Sequence, residues 1–280
     1  MAACAGSVPV CAAVEPLRVL LDESAPDGDL PAPLAALYGG GLALAPDAVY
    51  ANFIASLDGV SSLAAPRGAG PTLRGDADPG ADRFVMGLLR FLADAVLIGA
   101  GTLRADRGHL WSSAYIDRER AGQYRALGRG EPRLVVVTAS GDVDPRERAL
   151  QGGALVLTTE AGAARLRGRL PAATTLQALG AGRLATAGIL AAIRAEGHRR
   201  VLTEGGPTLL GRFAAERTLD DLFLTMSPVL AGRRSGDGRM GVLNGVHLLP
   251  ADGRWGRLRS VRASGSHLFL RYGFSRSGAE

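Results

Sequence analysis

The sequence predicts an α/β domain with a mostly parallel central sheet flanked by helices and an antiparallel C-terminal hairpin. Between residues 49 and 215, short buried apolar segments alternate with segments whose apolar residues recur at helical spacing. This alternation implies right-handed crossovers between parallel strands. Near the C-terminus, two strand-like segments flank the turn Ser264-Gly265-Ser266, which is typical of a hairpin.

The composition is that of an ordinary water-soluble globular protein. Of 280 residues, 47% are apolar and 21% are charged. No apolar run approaches the roughly 18 residues of a membrane span, so we expect a cytoplasmic protein without a membrane partner. The net charge is +5, but the 32 basic residues are scattered singly rather than interleaved with aromatic residues. We therefore expect no nucleic-acid partner.

Two residue types restrict the chemistry further. The chain contains no lysine, which excludes a Schiff-base lysine and a P-loop lysine. The two cysteines, Cys4 and Cys11, and the four histidines do not follow a metal-ligand spacing, so no metal site is expected. The N-terminal residues lack the positive charge of a signal peptide. The predicted organisation is a disordered tail at 1–16, one domain at 17–276 and a short tail at 277–280.

The first part of the chain is rich in proline and glycine. We predict a strand or turn at 17–21, a short helix at 34–38 and a long strand at 49–56. The long strand runs into Asp58-Gly59, a pair typical of turns. The following segment, 61–75, is predicted to be a loop long enough to cover a ligand.

The segment 78–92 is the clearest predicted helix. Phe84, Leu88, Phe91 and Leu92 have the spacing of a buried helical stripe. Arg90 lies on a different face of this helix, so it is available either for a ligand or for solvent.

The remaining elements follow from short apolar runs and helical periodicity. Strands are predicted at 95–98, 134–137, 154–158, 174–177, 201–203, 222–226, 258–263 and 267–274, and helices at 161–169 and 185–195. The segment 112–131 is charged and weakly periodic, and we predict that it is a surface excursion.

Glu204-Gly205-Gly206-Pro207 follows the strand 201–203 and opens a helix, with proline at the first helical position. A glycine turn that begins a helix presents unpaired backbone N–H groups and a partial positive charge, which suits a phosphate. The alternative is a tight strand-to-helix corner with no ligand. Glu204, beside the turn, is placed to face a ligand.

A second corner, Gly99-Ala100-Gly101-Thr102, follows the strand 95–98. Two such corners at the carboxyl ends of parallel strands suit a dinucleotide. Neither matches Gly-x-Gly-x-x-Gly, which argues against a standard Rossmann domain.

Six segments, in this order, resemble the pyrimidine reductase family of riboflavin biosynthesis. They are Ala55-Ser56-Leu57-Asp58-Gly59, Leu88-Leu89-Arg90, the segment 93–106, Glu204-Gly205-Gly206-Pro207-Thr208-Leu209, Asp220-Asp221-Leu222 and Pro228-Val229-Leu230-Ala231-Gly232. The family is the reductase half of a bifunctional deaminase-reductase and has the dihydrofolate-reductase-like fold. The resemblance covers roughly residues 49–274. Because the zinc deaminase signature is absent, a stand-alone form is expected.

The resemblance implies reduction by NADPH of a 5-amino-6-ribosylaminouracil 5′-phosphate, with hydride transfer to the ribosyl C1′. It also implies sites for NADPH. Ala55 would touch the nicotinamide side, Thr102 and Asp106 would lie along the cofactor, and Ser140 would lie near the adenosine half. The remaining cofactor residues would be those of the two corners, namely Gly99, Gly101, Gly205, Gly206, Pro207, Thr208, Leu209 and Leu210.

On the substrate side, the resemblance implies contacts from Asn52, Arg90, Leu110 and Glu204. Asp106 and Glu204 are the catalytic candidates. Simpler interpretations stay open: Arg90 as a solvated helix residue, Asp106 as a helix cap, Asp58 as a turn former and Ser140 as an ordinary polar turn residue.

The sequence departs from the family pattern in two places: at Asn52, where the family usually has lysine, and at Arg107-Gly108 after Asp106. These departures leave the identity of the substrate undetermined. The alternatives are an NADPH reductase of a related pyrimidine or dihydropterin, and a non-catalytic NADPH-binding protein. The family also implies a homodimer.

Overall fold

The protein is described here by a computed structural model, which covers residues 14–23, 30–63, 69–75 and 79–275. The predicted tails lie outside these ranges except for residues 14–16, which are irregular. The strands are β1 (Arg18–Asp22), β2 (Val49–Ser56), β3 (Val60–Ser62), β4 (Ala95–Gly99), β5 (Arg133–Thr138), β6 (Ala154–Thr158), β7 (Thr175–Ala178), β8 (Val201–Thr203), β9 (Asp221–Ser227), β10 (Met240–Gly241), β11 (Arg257–Ser264) and β12 (His267–Gly273).

The helices lie between these strands. They are α1 (Ala32–Tyr38), α2 (Gly70–Arg74), α3 (Pro79–Leu92), α4 (Ala100–Ala105), α5 (Ser113–Ile116), α6 (Ala121–Ala126), α7 (Arg148–Gln151), α8 (Glu160–Leu166), α9 (Thr186–Ala195) and α10 (Pro207–Ala215), with a 3₁₀ turn at Arg118–Arg120. Most predicted elements are thus present with bounds that differ by at most three residues.

A ten-stranded sheet organises the molecule, in the order β1-β11-β12-β9-β2-β8-β4-β5-β6-β7. The strands from β9 to β7 in this order pair in parallel. The other three, β12, β11 and β1, add in antiparallel fashion. The prediction of a mostly parallel sheet with an antiparallel C-terminal hairpin is therefore confirmed.

Apolar side chains fill both faces of the parallel strands, as their unbroken apolar runs require. On one face, Phe84 and Leu88 of α3 pack against Ile98 and its neighbours. On the other face, Ile189 of α9 and Phe213 of α10 pack in the second core cluster. The sheet is therefore the middle layer of three, and its strand ends remain available for a site.

The segment 61–75 differs from the predicted loop. It contains part of β3 and all of α2, and β3 forms a two-stranded ladder with β10. The turn that leads into β3 is fixed by Asp58, whose carboxylate accepts hydrogen bonds from Ser56 Oγ at 2.6 Å and from the backbone N–H groups of Ala231 and Gly232. Ala231 and Gly232 lie far away in sequence, so local composition indicated only a loop.

The segment 112–131, predicted as a surface excursion, is helical in the structure, which the sequence did not indicate. The segment forms α5, the 3₁₀ turn and α6, and a buried polar network holds them together. Asp117 accepts hydrogen bonds from Arg120 Nη1 at 2.7 Å and from Tyr124 Oη at 2.9 Å. Arg120 and Asp117 are less than a tenth exposed. Because polar side chains hold this segment, it lacks the apolar periodicity by which a buried helix is recognised.

Candidate active site

The carboxyl ends of β2, β8, β4 and β5 border a cavity of about 1610 Å³. A crevice at this edge of a parallel sheet is the expected place for a ligand. Predicted site residues that line the cavity are Asn52, Arg90, Gly99, Gly101, Thr102, Asp106, Glu204, Gly206, Pro207, Thr208 and Leu209. The cavity therefore brings together residues from the cofactor and substrate sets.

The Glu204-Gly205-Gly206-Pro207 corner joins β8 to α10, with Gly206 as the N-cap and Pro207 as the first helical residue. A Cβ at Gly205 would lie 2.5 Å from Cδ2 of Leu209 and 3.3 Å from the backbone nitrogen of Gly99. Only glycine lets the two corners approach this closely. The backbone N–H of Gly206 donates to Thr102 Oγ1 at 3.0 Å, which ties the corners together.

The Gly99-Ala100-Gly101-Thr102 corner joins β4 to α4. No atom lies within 4 Å of a Cβ built on Gly99 or on Gly101. Both glycines line the cavity, so their backbone is open to an incoming group. Side chains at these positions would occupy that space.

Arg90 of α3 and Glu204 form a buried ion pair inside the cavity. The Arg90 Nη2 lies 2.6 Å from Glu204 Oε2, and Nε lies 3.1 and 3.2 Å from the two carboxylate oxygens. The side chains are 1% and 6% exposed. This side-on fork is the strongest arrangement between a guanidinium and a carboxylate.

Arg90 also holds the segment that follows α4. Its Nη1 donates to the carbonyl oxygens of Leu110 and Ser112, each at 3.3 Å. With Nε and Nη2 on Glu204, every nitrogen of Arg90 has a protein partner. The interpretation of Arg90 as a solvated helix residue is therefore wrong, and the geometry favours a residue that positions Glu204 and this segment.

His109 lies next to Arg90 and packs against two aromatic rings. Its Nε2 lies 3.3 Å from Arg90 Nη2, and because arginine can only donate, Nε2 accepts and the imidazole is neutral. Its ring packs edge-on to Trp111 and Tyr115. Burial, with the nearby Arg90 charge, lowers the pKa of His109 to about 3.

Asp106 follows α4 at its C-terminal cap and also lines the cavity. Its backbone N–H donates to the carbonyl oxygen of Thr102 at 3.0 Å, and its side chain is partly buried. Burial raises the pKa of this carboxyl group, and the positive charge of Arg90 opposes the rise. Asp106 is therefore suited to hold a proton close to the Arg90–Glu204 pair.

The other predicted site residues do not line the cavity. Ala55 and Leu210 are buried, Gly205 lies behind Gly206, and Leu110 supplies its carbonyl oxygen to Arg90. Ser140 is exposed and its hydroxyl accepts from the N–H of Asp142 at 3.3 Å, although the neighbouring Ala139 does line the cavity. The ligand roles of these residues remain predictions.

Sequence reasoning did not single out several cavity residues. Among them are Arg74, Asp82, His109, Trp111 and Tyr115. The one available signal was the cluster of histidine and aromatic residues shortly after Asp106, which interrupts an otherwise small and charged stretch. Nothing local marks Arg74 or Asp82, because their significance depends on the partners they meet in the fold.

Two further observations concern the described part of the chain. No helix there combines the length and the apolar character needed to cross a membrane. No group of three or more histidine, cysteine or acidic residues within those same ranges is arranged to hold a metal ion.

Comparison with known proteins identifies a matching family model and solved structures with the same fold. The model of the RibD C-terminal domain family matches residues 47–247. A pyrimidine reductase-like protein from Corynebacterium diphtheriae superimposes with a TM-score of 0.63 at 21% identity, over 87% of this chain and 99% of that one. The riboflavin biosynthesis reductase Rib7 of Saccharomyces cerevisiae gives a TM-score of 0.53 at 13% identity, over 85% and 94%.

A bacterial RibD shows the same fold in a longer chain. RibD of Acinetobacter baumannii gives a TM-score of 0.59 at 18% identity, over 86% of this chain and 60% of that one. The present chain thus spans 60% of the length of that protein. No curated protein matches in a direct sequence comparison. Since the family model covers most of the chain, including both corners and the Arg90–Glu204 pair, this protein belongs to the RibD C-terminal domain family.

Proposed function

We propose that the protein is an NADPH-dependent reductase of a ribosylaminopyrimidine phosphate, with hydride transfer to the ribosyl C1′. The observation that carries the proposal is the single cavity that joins two glycine corners to the buried Arg90–Glu204 pair and Asp106. Membership of the RibD C-terminal domain family supports a reductase of the riboflavin pathway.

The cavity residues fit a nicotinamide dinucleotide. Gly206, Pro207 and Thr208 at the start of α10 line the cavity, and the partial positive charge of a helix N-terminus suits a pyrophosphate. The open backbone at Gly99 and Gly101 leaves room for the adjoining sugar. Bound NADPH would supply the hydride for C1′.

The protein's own part is to hold the acceptor and to move one proton. As hydride adds to C1′, the bond from C1′ to the ring oxygen breaks, and that oxygen needs a proton to become a hydroxyl group. Asp106 is the proposed donor, because its raised pKa favours the protonated carboxyl group. Glu204, fixed by Arg90, is proposed to orient the acceptor through its remaining carboxylate lone pairs.

The direct test is NADPH consumption by the purified protein with freshly made 5-amino-6-ribosylaminouracil 5′-phosphate, with dihydrofolate in parallel. Turnover of the aminouracil alone would support the proposal and show that Asn52 is tolerated. Turnover of dihydrofolate alone would replace it with the dihydropterin alternative. NADPH binding without any turnover would favour the non-catalytic alternative.

Asp106→Asn is expected to lower the turnover number roughly 10²- to 10⁴-fold, the usual contribution of a general acid. NADPH binding, measured by the quenching of protein fluorescence, should persist and shows that the variant is folded. Asp144→Asn, at a carboxylate paired with Arg146 outside the cavity, is the control. Full activity of Asp106→Asn would remove Asp106 from the mechanism.

The proposal includes a cytoplasmic homodimer, as the family resemblance implies. The exposed apolar residues of β1, at the edge of the sheet, are a surface on which a second copy could pack.

A further inference from the structure

We infer that Arg74, on the wall of the cavity where α2 packs beside β2, binds the phosphate group of the acceptor. The inference rests on the proposed function, because it assigns one residue to one group of the proposed substrate. It concerns a side chain that neither the glycine corners nor the Arg90–Glu204 pair accounts for.

A buried carboxylate holds Arg74 in position. Arg74 is the last residue of α2, and its Nη1 donates to Asp82 Oδ2 at 3.2 Å. The side chains are 12% and 3% exposed. The other oxygen of Asp82 accepts from Thr225 Oγ1 of β9 at 2.9 Å. Asp82 is thus fixed from two sides and fixes Arg74 at the cavity wall.

Arg74 retains donors for a ligand, unlike Arg90. Its Nη1 contacts Asp82 and the sulfur of Met86, the latter at 3.7 Å. Neither Nε nor Nη2 makes a hydrogen bond to any residue that the structure describes. These two nitrogens form the side-on edge of the guanidinium, the edge with which Arg90 grips Glu204, and it matches two oxygens of a phosphate.

The absence of a side chain at Gly70 leaves room for the guanidinium group of Arg74. The guanidinium folds back over Gly70, where a Cβ would lie 3.1 Å from Nη1 and 3.8 Å from Nη2. Gly70 also lines the cavity. A glycine four residues before the arginine therefore lets the cation lie flat against the helix and face the cavity.

The charge of Arg74 also acts on His109 and Asp106. Its charge opposes protonation of His109, whose pKa is lowered first by burial and then by Arg90 and Arg74. It also acts on Asp106, against the rise that burial causes in the pKa of that carboxyl group. A phosphate at Arg74 would therefore lie within electrostatic reach of the proposed proton donor.

The neighbouring part of the sheet supplies no positive charge of its own. Asn52 and Ile54 share one face of β2, and Thr225 is the register partner of Ile54. Asn52 can donate a hydrogen bond but carries no charge. The guanidinium of Arg118, elsewhere on the cavity wall, lies over the Tyr115 ring at 5.4 Å from its centroid. Arg74 is the cation that a buried carboxylate presents on this part of the wall.

The experiment uses the double variant Arg74→Gln/Asp82→Asn, which removes the cation without leaving a buried carboxylate unpaired. Binding is measured by calorimetry with ribose 5-phosphate and with ribose. We expect roughly 10- to 100-fold weaker binding of ribose 5-phosphate, the loss of a charge-assisted hydrogen bond. Ribose and NADPH binding should stay unchanged. The KM for the phosphorylated aminouracil should rise by a similar factor, and that for its dephosphorylated form should not.

Two further variants sharpen the result. Arg271→Gln/Asp221→Asn removes a comparably buried pair, 7% and 11% exposed, whose members do not line the cavity, and it should bind ribose 5-phosphate normally. Arg74→Lys keeps the charge but loses the two adjacent N–H donors, so its affinity for ribose 5-phosphate should be intermediate. Equal losses in the two double variants would overturn the inference, and so would absence of ribose 5-phosphate binding to the wild type.

Failure of the inference is distinguishable from failure of the proposed function. Normal reduction of the aminouracil phosphate by Arg74→Gln/Asp82→Asn, with an unchanged KM, overturns the inference and leaves the function intact. Charge-dependent ribose 5-phosphate binding in a protein that does not reduce the aminouracil supports the inference and rejects the proposed substrate.

Discussion

Charged side chains in the cavity are held in place by ion pairs and hydrogen bonds to other protein groups. Arg90 is 1% exposed and has all of its nitrogens engaged, and Asp82 has both oxygens engaged. A buried charge is tolerated only under these conditions, because desolvation is otherwise too costly. A charged residue that the sequence suggests as a ligand-binding group can therefore serve to position another ligand-binding group.

Glu204→Gln is expected to destabilise the protein by about 3–5 kcal/mol, because it leaves the buried Arg90 cation without a countercharge. The measurement is the free energy of unfolding from urea denaturation. Glu23→Gln is the control, since Glu23 and Arg257 form an exposed pair and its loss should cost less than about 1 kcal/mol. Similar small losses in both variants would contradict the role given to the Arg90–Glu204 pair.

His109 predicts a pH dependence of stability. Its pKa is about 3 in the native state against an ordinary 6.5, so between these values the unfolded chain binds a proton that the native protein does not. The free energy of unfolding therefore falls as the pH drops below 6.5.

The check compares urea unfolding at about pH 7.5 and about pH 5 in wild type and in His109→Gln, which keeps an acceptor for Arg90. The wild type should lose more stability than the variant over this range. An identical loss in both would show that His109 is not the titrating group.

Among the single elements, the start of α10 combines a local sequence pattern with a nonlocal packing constraint. The Gly-Gly-Pro sequence predicted the start of α10 correctly. The backbone freedom of glycine and the missing N–H of proline are local properties and can be read from the sequence. The reason for Gly205 is nevertheless nonlocal, since a Cβ there would approach the backbone of Gly99 in the other corner.

Gly205→Ala is expected to displace the start of α10 and to weaken NADPH binding, measured by fluorescence titration. A Cβ would lie 2.5 Å from Leu209 Cδ2, 3.2 Å from Leu209 Cβ and 3.3 Å from Gly99 N, so the Leu209 side chain must move and the close contact between the two corners must widen. Gly188→Ala is the matched control, since Gly188 is an exposed residue of α9 with no atom within 4 Å of a built Cβ. It should raise stability by about 0.4–1 kcal/mol and leave binding unchanged. Unchanged binding in Gly205→Ala would contradict the proposed corner site.

At the scale of the whole molecule, the sheet has an unusually apolar edge. Val19, Leu20 and Leu21 of β1 are 43%, 49% and 37% exposed, although β1 is only five residues long. An exposed apolar edge strand favours pairing with another chain.

Sedimentation of the purified protein should therefore give about twice the monomer mass of 28.9 kDa. Leu20→Lys should shift the equilibrium toward the monomer, because a charged side chain on an edge strand opposes pairing. Leu230→Lys, at a 75%-exposed residue away from β1, is the control. A monomeric wild type would reject the proposed homodimer.

The sequence by itself determined the alternation of strands and helices, the parallel sheet with its hairpin and the two glycine corners. Each of these follows from spacing along a few residues, such as the stripe of Phe84, Leu88 and Phe91 or the Gly-Gly-Pro turn before α10. The order of the motifs also indicated the family, whose model matches residues 47–247.

Only the tertiary structure decided which charged groups meet. Arg90 and Glu204 are 114 residues apart, and Asp82 and Thr225 are 143 residues apart. Their contacts depend on the strand order, which places β8 between β2 and β4, and β9 on the far side of β2. A local pattern specifies which apolar side chains are buried, but the burial of a charge and its partner are set by the path of the whole chain through the sheet.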